Sequence, residues 1–367
     1  MRIGIDMRMA GTGEGIARYT EELVRELANL DQVNEYFLIH YGEFPISNFQ
    51  FPKNFQSVQV KSKYYSWMEQ TYFIHELNRL YLDLMHFTSF NIPIFYQGKF
   101  IVTIHDIIHH QFPGRKKSRY LHRAGYRTVI WTAVNRAEKV IAVSKATKEE
   151  IIKTFAIPSQ KITVIYEGAS RSLAFPENSI DILKRHGISK PFLLFVGVWR
   201  QYKNLPKLAE SFDILREQYK IDCQLVLAGK IDEFYPEIKE AVFAVQNRED
   251  IRALGFVTDD DLAALYKEAK VFVLPSLIEG FGLIGIEAQS AGKPVAASNI
   301  PVLREILGDG AVYFDPHKAE DMAKKISEIW NDPKQAEALR QKARDNAKRF
   351  DWKETAAETL ELYKTLA

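Results

Sequence analysis

Two α/β domains, each built on a doubly wound parallel sheet, are what this chain predicts. Three observations carry that reading. At 367 residues the chain is long for a single core. Short apolar or β-branched runs alternate with stretches of helical periodicity, and they do so twice over. Several of those runs end on glycine or on polar residues, placing such residues at the carboxyl ends of strands, where open α/β sheets bind ligands.

Bulk composition narrows the class. Hydrophobic residues make up 46% and charged residues 26%, as in an ordinary globular protein. A single cysteine, Cys223, excludes an internal disulfide and a cysteine-rich zinc site, and fits a reducing compartment. The chain opens directly on a strand, Arg2–Asp6, without the apolar core of a signal peptide, and no run approaches the roughly 20 apolar residues needed to span a bilayer. A cytoplasmic protein is expected. Net charge is only +2, yet residues 1–172 hold 22 Lys and Arg against 16 Asp and Glu. Between Asp106 and Glu138 there are seven Lys and Arg and no acid. This asymmetry indicates one basic face on the first half and argues against a general nucleic-acid-binding protein.

In the first half, strand Arg2–Asp6 leads into a glycine loop, Gly11-Thr12-Gly13-Glu14-Gly15, and a helix from Ile16 to Asn29 whose Ile16, Tyr19, Leu23 and Leu27 share a face. A dinucleotide fingerprint fails here because position 16 is Ile. Tyr36–His40 and Ser57–Val60 read as strands. Lys61–Trp67 sets cations beside aromatics, suited either to an interface or to a loop before an amphipathic helix through Leu80. A further short strand ends at His86–Ser89. Ile101–Ile104 then delivers His105-Asp106 to a strand end; His109 and His110 follow, but no third carboxylate completes a metal set. Arg115–Arg127 combines cations with Tyr120 and Leu121 and fits either an anionic membrane surface or acids elsewhere in the fold. Lys139–Val143 is a strand, Ser144 caps a helix, and Ile162–Ile165 closes the half.

In the second half, residues 169–190 read as a linker around a short helix. Phe192–Val196 restarts the sheet and ends at Gly197, followed by Arg200, Lys203 and Asn204. Gln224–Gly229 and Ile251–Leu254 are further strands, the latter followed by Gly255-Phe256-Val257. Asp259-Asp260-Asp261-Leu262 caps a helix, where acids complement the dipole. Val271–Leu274 then breaks at Pro275 into a turn carrying Glu279-Gly280-Phe281-Gly282-Leu283, a helix through Glu287 to Ala291, and a strand from Pro294. Strand, glycine turn and helix N-terminus together form an anion site, because unpaired backbone N–H groups and the dipole face one point.

Glu279 and Glu287 stand in an E-x7-E arrangement with Gly-Phe-Gly inside it, which resembles the retaining glycosyltransferases of family 4. The Gly-Glu-Gly loop, the Thr-Ile-His-Asp segment, the Lys203-Asn204 pair and the Phe350-Asp351-Trp352 kink are similar to that family as well. The resemblance spans nearly the whole chain and is denser from Gly197 to Glu305. It implies the GT-B fold, two Rossmann-like domains facing a cleft. Residues 1–172 with a returning helix, 351–367, form the acceptor side, and 173–350 hold the nucleotide. It further implies transfer of a hexose from a nucleotide diphosphate sugar to an acceptor hydroxyl with anomeric retention, without a catalytic metal or other cofactor. Lys203 and Arg200 meet the leaving diphosphate, though Arg200 stands three residues after the glycine instead of at the commoner positions. Glu279 holds the sugar, His105 contacts it unless it is a satisfied structural histidine, and Glu287 takes the ribose. Gly13, Gly15, Gly280, Phe281, Gly282 and Leu283 let the donor approach the backbone, while Phe256 and Val257 border the base.

The corner Tyr166-Glu167-Gly168 departs from the family's usual Asn, leaving Glu167 without an assigned role. Similarity of the first half to bacterial polysaccharide mannosyltransferases points to GDP-mannose as donor, with a UDP-sugar as the alternative. The implied acceptor is a saccharide or lipid-linked saccharide, reached from the inner face of the cell membrane. A non-hydrolysing epimerase and a non-catalytic sugar-binding module stay open as other readings.

Overall fold

The computed structural model describes residues 1–13, 15–112, 119–169 and 175–366. The chain divides into two units, Met1–Gly168 with Phe350–Ala367, and Ala169–Arg349. The first holds strands β1 (Arg2–Asp6), β2 (Glu35–Tyr41), β3 (Phe55–Val60), β4 (Leu84–Phe87), β5 (Phe100–Ile104), β6 (Lys139–Ala142) and β7 (Ile162–Val164). Their order in the sheet is β3-β2-β1-β4-β5-β6-β7, with every pairing parallel. The second holds β8 (Phe192–Val196), β9 (Gln224–Ala228), β10 (Ile251–Gly255), β11 (Val271–Leu274), β12 (Val295–Ser298) and β13 (Ala311–Phe314), ordered β10-β9-β8-β11-β12-β13 and again all parallel. Helices cover both faces of a parallel sheet, so central strands are apolar throughout instead of alternating. Accordingly β5, β9, β11 and β12 are buried along their whole length.

In each sheet the strand order reverses once, between β1 and β4 and between β8 and β11. At such a point the loops leaving neighbouring strands turn to opposite faces, and a crevice opens at the carboxyl ends. This property of the topology positions the candidate active site.

Two expectations need correction. The single amphipathic helix through Leu80 is two short helices, Trp67–Gln70 and Tyr72–Asn78. Thr71 separates them: its φ of −123° and ψ of −73° leave the helical region, and its hydroxyl donates back to the Trp67 carbonyl at 3.1 Å. The helix at Asp259–Glu268 is capped not by its aspartates but by Thr258, whose hydroxyl accepts from the Asp261 amide at 3.2 Å. Asp261 instead pairs with Arg185 and His186.

The last helix, Trp352–Lys364, packs on the first unit's own elements. Tyr363 Oη meets His86 Nδ1 at 2.6 Å, His86 Nε2 meets Thr103 Oγ1 at 2.8 Å, and that hydroxyl lies 3.0 Å from Tyr19 Oη. Burial, and next the charge of His105, push the His86 ring down to about 3, so it stays neutral within this chain of hydroxyls. The start of the same helix rests on the 166–168 corner, where Thr355 Oγ1 donates to the Tyr166 carbonyl at 2.7 Å. Gly168 is required there because a Cβ would lie 2.3 Å from the Trp352 amide nitrogen.

Replacing Gly168 by Ala should therefore cost about 2 kcal/mol through overpacking. Gly125→Ala, at a helical position where a Cβ would meet nothing within 4 Å, should instead stabilise by roughly 0.5–1 kcal/mol. Urea denaturation of the two variants beside the parent chain checks both signs.

Candidate active site

In the second unit the loops after β8 and β11 meet at the switch point. The loop after β8 ends in a short turn, Gln201–Lys203, followed by Asn204 at φ 57° and ψ 34°. Asn tolerates this left-handed conformation better than most residues. Its side-chain amide donates to the carbonyls of Pro275 (3.1 Å) and Pro316 (2.8 Å), tying together the loops after β8, β11 and β13. A backbone bond from the Leu277 amide to the Tyr202 carbonyl, 2.8 Å, adds a second tie.

That arrangement brings Lys203 Nζ within 2.5 Å of Glu279 Oε1. Both side chains are nearly buried, 12% and 9% exposed, and Ser276 Oγ donates to the same carboxylate oxygen at 2.7 Å. A lysine and a glutamate separated by 76 positions in sequence thus share one small polar site. Gly280, Phe281 and Gly282 complete the turn, and Gly282 caps the helix Leu283–Ser290 with φ 87°. Only glycine fits this position, since a Cβ would also sit 2.7 Å from Leu303 Cδ2. The Gly285 amide closes the first turn on the Gly282 carbonyl at 2.8 Å, and the helix dipole favours an anion ahead of that end. Glu287 lies in the same helix, buried at 2% exposure, with its Oε2 3.2 Å from the Tyr266 hydroxyl.

Other expected residues stand apart from this pair. Arg200 Nη1 lies 2.9 Å from Asp232 Oδ2, in an ion pair without hydrogen-bond alignment, and its guanidinium is 5.7 Å from the Tyr235 ring centre. Phe256 projects from the end of the edge strand β10 and is 84% exposed, with Val257 half-buried beside it.

In the first unit the same ends of strands carry two buried charge clusters. Arg8, just past β1, donates from Nε and Nη2 to Asp6 at 2.9 and 2.7 Å, and its Nη2 also pairs with Glu69 at 2.7 Å. Its guanidinium lies 3.7 Å from the Phe73 ring centre. Burial works against the charge on Arg8, but Asp6 and Glu69 outweigh it and its pKa rises. Burial raises the Glu69 carboxyl in spite of Arg8 and Asn91. His105 forms the second cluster. Its Nδ1 meets Glu167 Oε1 at 2.8 Å and its Nε2 meets the Thr88 carbonyl at 2.9 Å. A carbonyl only accepts, so Nε2 carries a proton, and the carboxylate favours a second one on Nδ1. Burial opposes the charged ring, yet Glu167, Thr88 and Asp106 prevail and the His105 pKa is raised. Tyr19 packs edge-on against that ring at 4.7 Å. Gly13, at φ 74°, and Gly15 are both exposed at the start of the helix Gly15–Leu30. Arg115, Lys116 and Lys117 of the basic segment lie outside the described residues; among those that follow, Tyr120 and Trp131 are exposed at 86% and 55%.

Two family models divide the chain between them. Glycosyltransferase Family 4 matches residues 13–172, and Glycosyl transferases group 1 matches residues 179–346. The chain belongs to glycosyltransferase family 4. It is 26% identical to the O-antigen chain mannosyltransferase B of Escherichia coli over 96% of each chain. Among solved structures it is similar to sucrose-phosphate synthase of Thermosynechococcus elongatus, with TM-score 0.79, 20% identity, and coverage of 100% of this chain and 99% of that one. Anabaena HepE, solved with UDP and glucose, superposes with TM-score 0.79 at 16% identity over 100% of both chains. The architecture is GT-B.

For this family 4 glycosyltransferase, sequence reasoning named both members of the Lys203–Glu279 pair but not what holds them. In the sequence Asn204 stands only as part of a motif; the structure gives it a positive φ and two carbonyl partners. Ser276, Asp232 and the Arg8–Glu69 pair left no pattern in the sequence. Glu167 did carry a signal, its departure from the usual Asn, and the structure gives that carboxylate to His105.

A raised folded-state pKa means that the stabilisation from His105 is complete below its unfolded value near 6.5 and is lost as pH rises through the folded value. Glu167→Gln should thus destabilise by about 2 kcal/mol at pH 6 and by clearly less at pH 9, measured by urea unfolding at both pH values. An equal loss at the two pH values would show that the pair is not charged.

Proposed function

We propose that this glycosyltransferase moves mannose from GDP-mannose to a hydroxyl of a saccharide or lipid-linked saccharide, with retention at the anomeric carbon, in surface polysaccharide synthesis. The observation that carries this reading is the Lys203–Glu279 pair beside the capped helix Leu283–Ser290. A departing nucleoside diphosphate develops negative charge, and a fixed cation with a row of helix-end amides is suited to receive it. Lys203 neutralises the phosphates. Once relieved of Lys203, Glu279 can accept hydrogen bonds from sugar hydroxyls, and Ser276 keeps it oriented. Arg200 adds a second cation if it leaves Asp232. Glu287 serves the ribose, with Tyr266 fixing its rotamer. No metal is required in this scheme, because side-chain cations and backbone amides meet the diphosphate. Mannose as the sugar is supported by similarity to the E. coli mannosyltransferase along 96% of the chain.

In the first unit, His105 has both ring nitrogens engaged. It serves an acceptor or sugar best as a fixed positive charge, not as a proton shuttle. The exposed Tyr120 and Trp131 on the helix Arg119–Arg136 support peripheral contact with an anionic membrane.

Two measurements test the reading. Release of nucleoside diphosphate is followed with GDP-mannose and, in parallel, with UDP-sugars, with and without EDTA. GDP-mannose turnover should persist in EDTA, and Lys203→Ala should lower it by ~100-fold. Turnover with UDP-sugars alone would overturn the donor assignment, and near-parental turnover by Lys203→Ala would overturn the site. Glu287→Ala should weaken GDP binding about tenfold, as loss of a charged hydrogen bond does; calorimetry with GDP reads this directly.

A further inference from the structure

The opposite edge of the second sheet carries a cavity of ≈ 430 Å³ whose lining includes Lys190, Lys267, Glu268, Lys270, Lys293 and Arg340. It lies at the amino ends of the strands: Lys190 precedes β8, Lys270 precedes β11 and Lys293 precedes β12. Because the strands are parallel, this edge faces away from the carboxyl ends where Lys203 and Glu279 meet.

What distinguishes the cavity is how its cations are held. Lys190 is neutralised, with Asp222 and Asp250 each at 2.9 Å. The others are held largely by neutral groups. Lys267 Nζ donates to the Pro176 carbonyl at 3.0 Å, and Lys293 Nζ donates to the Lys267 carbonyl. Lys270 Nζ sits 4.2 Å from the Trp330 ring centre. Arg340 reaches one carboxylate, Glu337 at 3.0 Å, which is itself 62% exposed. Fixed positions with unspent positive charge are what an anion site needs. The strain of that charge is visible in Lys293: burial first, then Arg340 and Arg344, bring its pKa down to about 8 against the pull of Glu268. Lys270 is lowered too, by burial, with Arg340 adding to it. Beside the cavity, and sharing Lys270 and Arg340 with it, runs a slot of ≈ 110 Å³ lined by Ile329, Trp330, Pro333 and Ala336.

We propose that this edge binds an organic phosphate, its anionic head among Lys270, Lys293 and Arg340 and its compact apolar body in the slot beside Trp330. The site is separate from the one that takes the nucleotide sugar and does not depend on the donor assignment.

The test is titration calorimetry of the full chain at pH 7 with phenyl phosphate and with inorganic phosphate. Phenyl phosphate should bind one to one and more tightly than inorganic phosphate. Its affinity should fall at least tenfold in the double variant Lys270→Gln/Lys293→Gln, with circular dichroism confirming the fold, and should be unchanged in Lys203→Ala. Should the double variant not fold, Lys270→Gln alone decides, with at least a threefold loss expected. The proposal is overturned by unchanged affinity in the lysine variants, by equal affinity for the two anions, or by binding that disappears with Lys203→Ala.

Discussion

The geometry of the second unit's site depends on one residue in a left-handed conformation. A lysine on a loop is ordinarily free to sample many rotamers, and ordering it costs up to roughly 2 kcal/mol. Here the backbone after Lys203 is fixed, and its ammonium is held by Glu279. Asn204, at φ 57°, turns the chain into the helix Leu205–Glu217, and its side chain clasps the carbonyls of Pro275 and Pro316. Three strand-end loops are thereby set relative to one another, which brings Lys203 to Glu279. Gly would supply the same φ without the clasp, so Asn contributes more here than conformational tolerance.

The first unit meets a harder problem, since its strand ends bury charge instead of exposing it. Two solutions stand side by side. Around Arg8, two carboxylates share one guanidinium that also lies on an aromatic face, and burial, with Asp6 adding to it, makes the Glu69 carboxyl hold its proton more tightly. Around His105, one carboxylate faces one imidazole, and the second ring nitrogen is satisfied by a backbone carbonyl. Breaking either cluster from one side would strand a buried charge, which costs more than the pair itself contributes. Nearby, burial and then the charge of His105 lower the His86 pKa, while Glu167 and its neighbours raise that of His105, so two histidines of one sheet are shifted in opposite directions.

How much of this was legible in the sequence follows from the range of the interactions. The alternation of apolar runs and helical stretches is local, and the strands it marks in the two halves lie within small shifts of those in the structure. Glu279, Gly282 and Glu287 were legible because strand, turn and helix are contiguous. Lys203 was legible through its motif, but its partner across 76 positions was not. The link between Glu167 and His105 spans 62 positions and crosses the sheet, so neither residue announced the other. Thr71 was missed for a different reason: the helical pattern from Trp67 onward is genuine, and one hydroxyl bonding back to the preceding turn is enough to interrupt it.

The two edges of the second sheet carry opposite electrostatic solutions on the same scaffold. At the carboxyl edge the cation is already satisfied, because Glu279 lies 2.5 Å from Lys203. An anion arriving there must offer Lys203 more than Glu279 does, while the helix-end amides of Leu283–Ser290 must repay what is lost. A monoanion with one contact gains little from that exchange, whereas a diphosphate can engage the ammonium and the amides together. On the proposed reading, selectivity for a multiply charged ligand follows from a pair that looks, by itself, like a simple salt bridge. At the amino edge that exchange is milder. Lys267 and Lys293 spend their donors on carbonyls, Lys270 rests on Trp330 and Arg340 pairs with the exposed Glu337, so an anion entering there competes with a solvent-facing carboxylate and not with a buried one. On the two proposals, the carboxyl edge would discriminate through competition with a buried carboxylate, and the amino edge through charge held ready by mostly neutral contacts.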